Sequence, residues 1–162
     1  MPGERDTVTL VCTGNTCRSP MAEALLRAAL AKRAGGLEKL RVASFGLSAQ
    51  SGAPASPNSI KTMQRIGQDL KGHRSRLLTQ ADLDRSLVVF GMTESHLAAI
   101  RQRFDVLPEH LLLLRGAMPE GADRNIPDPF GGGYRDYEEC RDAMVEAIPS
   151  ILAYLQQHFI RP

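Results

Sequence analysis

The chain passes from a strand pattern to a helix pattern within one stretch, Thr7-Val-Thr-Leu-Val-Cys-Thr-Gly-Asn-Thr-Cys-Arg-Ser-Pro-Met-Ala-Glu-Ala-Leu-Leu-Arg-Ala-Ala-Leu30. Residues 7–11 are a β-branched run of the length expected for a buried strand. Residues 21–30 are strong helix formers, and Pro20 suits the first turn of a helix. The stretch therefore predicts a strand, a loop that begins at Cys12, and a helix.

The rest of the chain alternates in the same way. Strands are predicted over residues 40–44, 87–90 and 110–114, and helices over residues 59–66, 93–103 and 136–158. Gly35 and Gly36 are expected to end the first helix, and Thr79 with Asp82 forms a capping-box pattern that opens a short one. This alternation predicts a three-layer α/β fold, in which a four-stranded parallel sheet carries helices on both faces. We expect the whole chain, residues 1–162, to form a single domain.

Composition and charge narrow the classes of function. The 162 residues are 43% hydrophobic and 23% charged, and a formal charge of +2 gives no indication of nucleic-acid binding. The longest apolar runs, at residues 87–90 and 111–114, are far too short to cross a bilayer. There are three cysteines (Cys12, Cys17 and Cys140), and residues 1–6 form no secretory leader, which argues against a secreted disulfide framework. We expect a cytoplasmic monomer that binds neither nucleic acid nor membranes.

The loop after the first predicted strand combines the parts of an anion-binding nucleophile. In parallel sheets, ligands bind beyond the carboxyl ends of the strands, where Cys12 is predicted to lie. A helix N-terminus and a nearby Arg18 favour the nucleophilic thiolate, and an arginine can hold two phosphate oxygens at once. Gly14 lets the backbone approach an anion, Asn15 tolerates a left-handed conformation, and Ser19 can donate to the sulfur. This pattern favours phosphate chemistry over a buried structural cysteine, a Walker loop or a zinc site.

A second motif, Ile126-Pro-Asp-Pro-Phe-Gly131, holds Asp128 between two prolines. Hydrolysis by a cysteine needs a general acid for the leaving group and then a base for water, and a stiffly held carboxylate suits both tasks. Pro-Asp-Pro is also an ordinary turn pattern. The motif by itself does not bring this loop to Cys12.

Together the two motifs resemble those of the low-molecular-weight protein tyrosine phosphatase family. The resemblance rests on Val11-Cys-Thr-Gly-Asn-Thr-Cys-Arg-Ser-Pro-Met-Ala-Glu23 and on Asp128-Pro-Phe-Gly131, and it extends through residues 42–44, 72–77 and 88–92. It implies a four-stranded parallel sheet, a phosphorylated protein as substrate, and neither metal nor cofactor. It also implies that Cys12 attacks phosphorus to form a phosphocysteine while Arg18 stabilises the transferring group. Asp128 would protonate the leaving group and then activate water.

The resemblance assigns further residues. Substrate binding is assigned to the loop and one aromatic residue: Thr13, Gly14, Asn15, Thr16, Cys17 and Phe130. A network that holds the loop in shape is assigned to Asn15, Ser19, Ser44 and His73. In the family a cysteine at position 17 can trap the nucleophile as a reversible disulfide, although Cys17 also fits a purely structural role. Cys140 is expected only to pack in the core, and Phe45 departs from the small residue that the family often has before Gly46.

Two residues bear on which phosphorylated amino acid is the substrate. Tyrosine-specific members usually carry a bulkier aliphatic residue where this chain has Thr16, and they often have two consecutive tyrosines near the position of Phe130. Thr16 resembles the protein arginine phosphatases of the family, because a short side chain with a hydroxyl leaves room for a guanidinium and can hydrogen-bond to it. Phe130 could form a wall beside the planar guanidinium. We expect phosphoarginine as the substrate, with phosphotyrosine as the alternative.

Two other functions would use a similar loop. An arsenate reductase needs neighbouring cysteines that relay a disulfide outward, and only Cys140 lies outside the loop. A non-catalytic phosphoresidue-binding module would be expected to lack Cys12 or Asp128, and the chain has both. A phosphatase is therefore favoured over either.

Overall fold

The computed structural model describes residues 4–161, which contain a parallel sheet of four strands. The strands are β1 (Thr7–Cys12), β2 (Arg41–Gly46), β3 (Ser86–Gly91) and β4 (Leu111–Leu113). The helices are α1 (Arg18–Ala31), α2 (Pro57–Gln64), α3 (Gln80–Asp84), α4 (Glu94–Arg103) and α5 (Tyr134–Phe159), with a 3₁₀ turn over Leu37–Lys39. The strand order is β2-β1-β3-β4, and each neighbouring pair is parallel. The predicted α/β fold with a four-stranded parallel sheet is confirmed.

The central strand β1 is buried along its whole length because helices cover both faces of the sheet. Val8 and Leu10 belong to a core formed with α1 and α5. Val11 belongs to a second core that includes Leu83 of α3 and Ile100 of α4. Successive side chains of a strand point to opposite faces, so one strand supplies both cores and is fixed from both sides.

The first helix and the last helix differ slightly from their predicted bounds. Helix α1 begins at Arg18, so the arginine of the loop motif is already its first helical residue, and it ends at Ala31, before Gly35. Gly36 instead adopts a left-handed φ of 119° where the 3₁₀ turn begins, a conformation that glycine tolerates. Helix α5 extends one to two residues beyond each predicted end. Within residues 4–161, no helix combines the length and the apolar character that crossing a membrane requires.

Side-chain caps set the starts of the two short helices. Helix α2 begins at Pro57, two residues before the predicted start, because Ser56 Oγ accepts a hydrogen bond from the Ser59 amide at 3.3 Å. The predicted capping box of α3 is confirmed. Thr79 Oγ1 accepts from the Asp82 amide at 3.3 Å, and the Asp82 carboxylate accepts from the Thr79 amide at 2.9 Å.

The end of β2 sets the position of the loop that follows β1. A Cβ atom at Gly46 would lie 2.7 Å from the Thr13 carbonyl oxygen and 3.0 Å from the Asn15 nitrogen, so the loop packs directly on this glycine. The preceding Phe45 is buried in the second core, and the Arg76 guanidinium lies 4.6 Å above its ring. This stacking gives the aromatic residue a structural role beside the loop.

We predict that Gly46→Ala lowers the free energy of unfolding by about 1–3 kcal/mol, the usual cost of an overpacked site. The added methyl group would overlap backbone atoms of the loop, which have no rotamer to move into. Gly72→Ala is the matched control, because a Cβ there meets nothing within 4 Å. Urea unfolding of the two variants checks this, and equal stabilities would contradict it.

Candidate active site

The loop between β1 and α1 leaves its backbone amides unused. Among residues 4–161, no acceptor takes the N–H groups of residues 13–17. The loop borders a cavity of about 220 Å³, whose lining residues are Cys12, Thr13, Gly14, Thr16, Cys17, Arg18, Asp128 and Phe130. Free amides beside a helix N-terminus form a concavity that suits an anion.

Cys12 lies at the carboxyl end of β1 and is 2% exposed. Its Sγ is 2.9 Å from Ser19 Oγ, in the first turn of α1. Ser19 Oγ also accepts a hydrogen bond from Asn15 Nδ2 at 2.8 Å. Because the Ser19 oxygen is occupied as an acceptor, its own proton is free to be donated to the sulfur. This arrangement gives the Cys12 sulfur a hydrogen-bond donor.

Asn15 is the centre of the hydrogen bonds that shape the loop. It is buried and has a φ of 56°, the left-handed region that asparagine tolerates better than most residues. Its Nδ2 donates to Ser19 and to Ser44 Oγ at 2.9 Å, and its Oδ1 accepts from the Arg76 amide at 2.9 Å. Its carbonyl oxygen accepts from His73 Nε2 at 2.6 Å. Contacts from four positions therefore hold the strained residue.

Arg18 is buried, with 4% of its side chain exposed, and it faces several different partners. Its Nη1 donates to the Ile126 carbonyl at 3.0 Å, and its Nη2 lies 3.6 Å from the Asp128 carboxylate. Its Nε is buried and has no partner among residues 4–161. A buried N–H group without a partner is costly, so this donor is suited to an anion in the cavity.

The loop that carries Asp128 and Phe130 borders the same cavity. The Asp128 side chain is 48% exposed, and its Oδ1 accepts from the Phe130 amide at 3.0 Å, which fixes the direction of the carboxylate. Phe130 is 77% exposed and lines the same cavity as Cys12. Arg18 therefore connects the Cys12 loop with the Asp128 motif, which lie far apart in the sequence.

The remaining loop residues differ in their contacts. Gly14 has no left-handed φ, and a Cβ there would lie 3.6 Å from Thr16 Oγ1, an ordinary contact. The Thr16 carbonyl accepts from the Ser56 amide at 2.8 Å, and its hydroxyl is 3.8 Å from Cys17 Sγ. Cys17 is buried, and its Sγ lies 3.5 Å from both Ser56 Oγ and Tyr137 Oη. Burial and the Cys17 contact raise the pKa of Tyr137 to about 12, so its hydroxyl keeps its proton.

His96 belongs to this site, although the sequence pattern did not single it out. It lies in the first turn of α4, is 4% exposed, and its Nε2 is 3.0 Å from Thr13 Oγ1 and 3.5 Å from Arg18 Nη2. Burial and the positive charge of Arg18 lower the pKa of His96 to about 4, against a smaller opposing effect of Asp128. The signal available in the sequence was its place just after β3, at the same sheet edge as Cys12.

The next question is whether side chains among residues 4–161 could bind a metal ion at this site. Within residues 4–161, no group of three His, Cys, Asp or Glu side chains is placed to hold a metal ion. The chemical groups that the geometry brings together are a thiol, a guanidinium, a carboxyl and free amides. These can hold a tetrahedral anion against a sulfur nucleophile, with a proton donor opposite.

Comparisons with known proteins agree with this geometry. A sequence profile described as Low molecular weight phosphotyrosine protein phosphatase matches residues 7–160. A protein-arginine-phosphatase of Geobacillus stearothermophilus is 36% identical over 149 residues, which are 92% of this chain and 95% of that protein. A low molecular weight protein-tyrosine-phosphatase of Streptomyces coelicolor is 32% identical over 155 residues, 93% of each chain.

A solved structure extends the comparison to the fold. A YwlE arginine phosphatase mutant with a phosphorylated active site serine has a TM-score of 0.83 to this chain, at 30% identity, covering 94% of this chain and 97% of that one. The profile, the relatives and the structure all match over more than nine-tenths of the chain. The chain therefore belongs to the low molecular weight phosphotyrosine protein phosphatase family.

Proposed function

We propose that this protein phosphatase hydrolyses phosphoarginine on proteins through a phosphocysteine intermediate. The observation that carries the proposal is one cavity that joins Cys12, Arg18 and Asp128 to Thr16 and Phe130. The first three residues supply the chemistry of phosphoryl transfer. The last two shape the space for the group from which phosphate is removed.

In the first step, the Cys12 thiolate attacks phosphorus in line with the phosphorus–nitrogen bond. A sulfur–phosphorus bond forms as the phosphorus–nitrogen bond breaks, and Asp128 gives its proton to the leaving nitrogen, so arginine leaves as a guanidinium. Arg18 donates to the phosphoryl oxygens from Nε and Nη2, while Nη1 stays on the Ile126 carbonyl. The amides of residues 13–17 donate to the same oxygens.

In the second step, water attacks the phosphocysteine. The Asp128 carboxylate takes a proton from the water, the sulfur–phosphorus bond breaks, and inorganic phosphate leaves. The Ser19 hydroxyl donates to the sulfur as it becomes a thiolate again, because its oxygen already accepts from Asn15. A phosphorylated serine in the related YwlE mutant supports a covalent intermediate at this position.

Phosphoarginine fits the cavity better than phosphotyrosine for two reasons. Among residues 4–161, the Thr16 hydroxyl has only a long 3.8 Å contact to Cys17, so it can accept a hydrogen bond from a guanidinium N–H. Phe130 presents an exposed aromatic ring beside Asp128, and a planar guanidinium stacks on such a ring while it pairs with the carboxylate. Relatives named for arginine and for tyrosine dephosphorylation are similarly identical to this chain, at 36% and 32%, so these two side chains carry the choice.

A reductase mechanism is disfavoured by the third cysteine. Cys140 is buried in the core against α1 and the sheet, and burial raises the pKa of its thiol to about 12. A thiol that remains protonated is a poor nucleophile for disulfide exchange. Cys140 is therefore assigned to packing rather than to a relay from Cys12.

The proposal also covers the cofactor requirement, the cellular location and the oligomeric state of the enzyme. The substrate is a phosphorylated protein, and the reaction uses neither metal nor cofactor. We place the enzyme in the cytoplasm, as a monomer whose residues 1–162 form one domain. The three free thiols suit a reducing compartment, where Cys12 stays available as a nucleophile.

The substrate assignment is tested by comparing kcat/KM on a phosphoarginine peptide and a phosphotyrosine peptide. The wild type is expected to prefer phosphoarginine. Thr16→Ile is expected to lower that preference about 10-fold or more, because it adds volume to the cavity wall and removes the hydroxyl. Thr16→Val, which replaces the hydroxyl with a methyl group at nearly the same volume, should give a substrate preference between those of the wild type and Thr16→Ile. A wild-type preference for phosphotyrosine would refute the assignment.

The general acid is tested through the basicity of the leaving group. Asp128→Asn is expected to lower kcat/KM on the phosphoarginine peptide by about 10²–10⁴-fold. The loss on p-nitrophenyl phosphate should be much smaller, because p-nitrophenolate is a weak base that leaves without a proton. Glu120→Gln, the same change at an exposed carboxylate of the same loop, is the control. Equal losses on both substrates would argue against proton donation by Asp128.

A further inference from the structure

The first turn of α4 reaches the phosphate-binding loop through one side chain. His96 Nε2 lies 3.0 Å from Thr13 Oγ1, and Thr13 directly follows the nucleophile in the chain. Gly91, at the end of β3, allows this approach, because a Cβ there would lie 3.2 Å from His96 Cβ and 2.9 Å from a Leu97 methyl. The strand order places β3 next to β1, so both loops emerge at the same edge of the sheet.

The hydrogen bonds of the imidazole fix its tautomer. Nδ1 lies 3.3 Å from the Met92 amide nitrogen and 3.2 Å from the Thr93 amide nitrogen, and both of these groups can only donate. Nδ1 is therefore the acceptor, and the proton of a neutral ring sits on Nε2. Nε2–H then donates to Thr13 Oγ1 at 3.0 Å, and Arg18 Nη2 lies 3.5 Å from the same nitrogen.

The charge of the ring suits this position. A protonated His96 would place a second positive charge beside the Arg18 guanidinium. Its Nδ1 could then no longer accept from the Met92 and Thr93 amides. The pKa of His96, lowered by burial and then by Arg18, keeps the ring neutral at physiological pH. Asp128, the other charged group that acts on the ring, opposes this only in part.

We infer that His96 is a positioning residue for the transferring phosphoryl group. It acts through a neutral imidazole that holds Thr13 from Nε2, bears against Arg18, and is itself held by the amides at the start of α4. This inference rests on the proposed function and adds the β3–α4 connection to the phosphate-binding site. His96 does not line the cavity that contains Cys12, so its effect on the phosphoryl group passes through Thr13 and Arg18.

Two substitutions separate this role from simple helix capping. In His96→Asn, Oδ1 can replace Nδ1 as acceptor for the Met92 and Thr93 amides, but no donor reaches Thr13. In His96→Gln, the longer side chain can place an amide N–H near the position of Nε2. A capping role alone predicts that the Asn variant behaves as the wild type. A positioning role predicts that Asn is impaired and that Gln recovers activity.

The direct readout is affinity for inorganic phosphate, measured by calorimetry in a Cys12→Ser background. We expect His96→Asn to weaken phosphate binding roughly 3- to 10-fold, the worth of one hydrogen bond, and His96→Gln to restore most of the loss. In the otherwise wild-type enzyme, kcat/KM on p-nitrophenyl phosphate should fall by a similar factor. His158→Asn, an exposed histidine at the far end of α5, is the matched control.

A second variant keeps the test decisive if His96→Asn folds poorly. Thr13 is exposed, and Thr13→Val removes the acceptor without disturbing the imidazole. Thr13→Val should weaken phosphate binding by the same factor, and combining it with His96→Asn should add nothing. Additive effects, or unchanged phosphate affinity in both single variants, would overturn the inference. A wild type that binds phosphate but hydrolyses no phosphorylated peptide would instead refute the proposed function.

Discussion

The site depends on the left-handed backbone of Asn15. The amides of residues 13–17 donate to no acceptor among residues 4–161, so the loop has no hydrogen-bonded ladder of its own to hold its shape. Contacts from other segments hold it instead: the backbone amides of Ser48 and Ser56 donate to its carbonyls, and several polar groups converge on Asn15. Both N–H donors of its side-chain amide are in use, toward Ser19 and Ser44, and its Oδ1 accepts from the Arg76 backbone. An anion-binding loop must keep its donors free, and this is possible only when its shape is fixed by other contacts.

The need to keep donors free for an anion also explains how Arg18 is paired. A buried guanidinium needs several acceptors, yet one that is to bind phosphate must keep donors free. Arg18 meets both needs, with one nitrogen on the Ile126 carbonyl, one near Asp128, and Nε without a partner among residues 4–161. The neighbouring His96 stays neutral, because burial and the positive charge of Arg18 lower its pKa to about 4. Positive charge beside the cavity is thus carried by Arg18 rather than by His96.

Local sequence was enough to predict the parts of the site that lie close together in the chain. The strand, the cysteine loop and the first helix follow one another, and their residue types indicate their chemistry directly. Asp128 and His96 are different, because their distance from Cys12 depends on strand order and on how later loops cross the sheet edge. The motif around Asp128 indicated a carboxylate that was stiffly held, and only the family resemblance suggested its partner. His96 carried no motif, since a histidine in a first helical turn is usually a cap or a packing residue.

Thr16, to which we assign the choice of substrate, combines a fixed backbone with a side chain that has few contacts. The Thr16 carbonyl accepts from the Ser56 amide at 2.8 Å, which ties the loop to the start of α2 whatever side chain stands at position 16. The hydroxyl has only the long contact to Cys17, so a different side chain changes the cavity wall without changing the loop. Relatives of 36% and 32% identity carry names that record different phosphorylated residues, arginine in one and tyrosine in the other. Under the proposed function, the contacts that fold the loop set the chemistry, and the Thr16 side chain, which those contacts do not hold, sets the specificity.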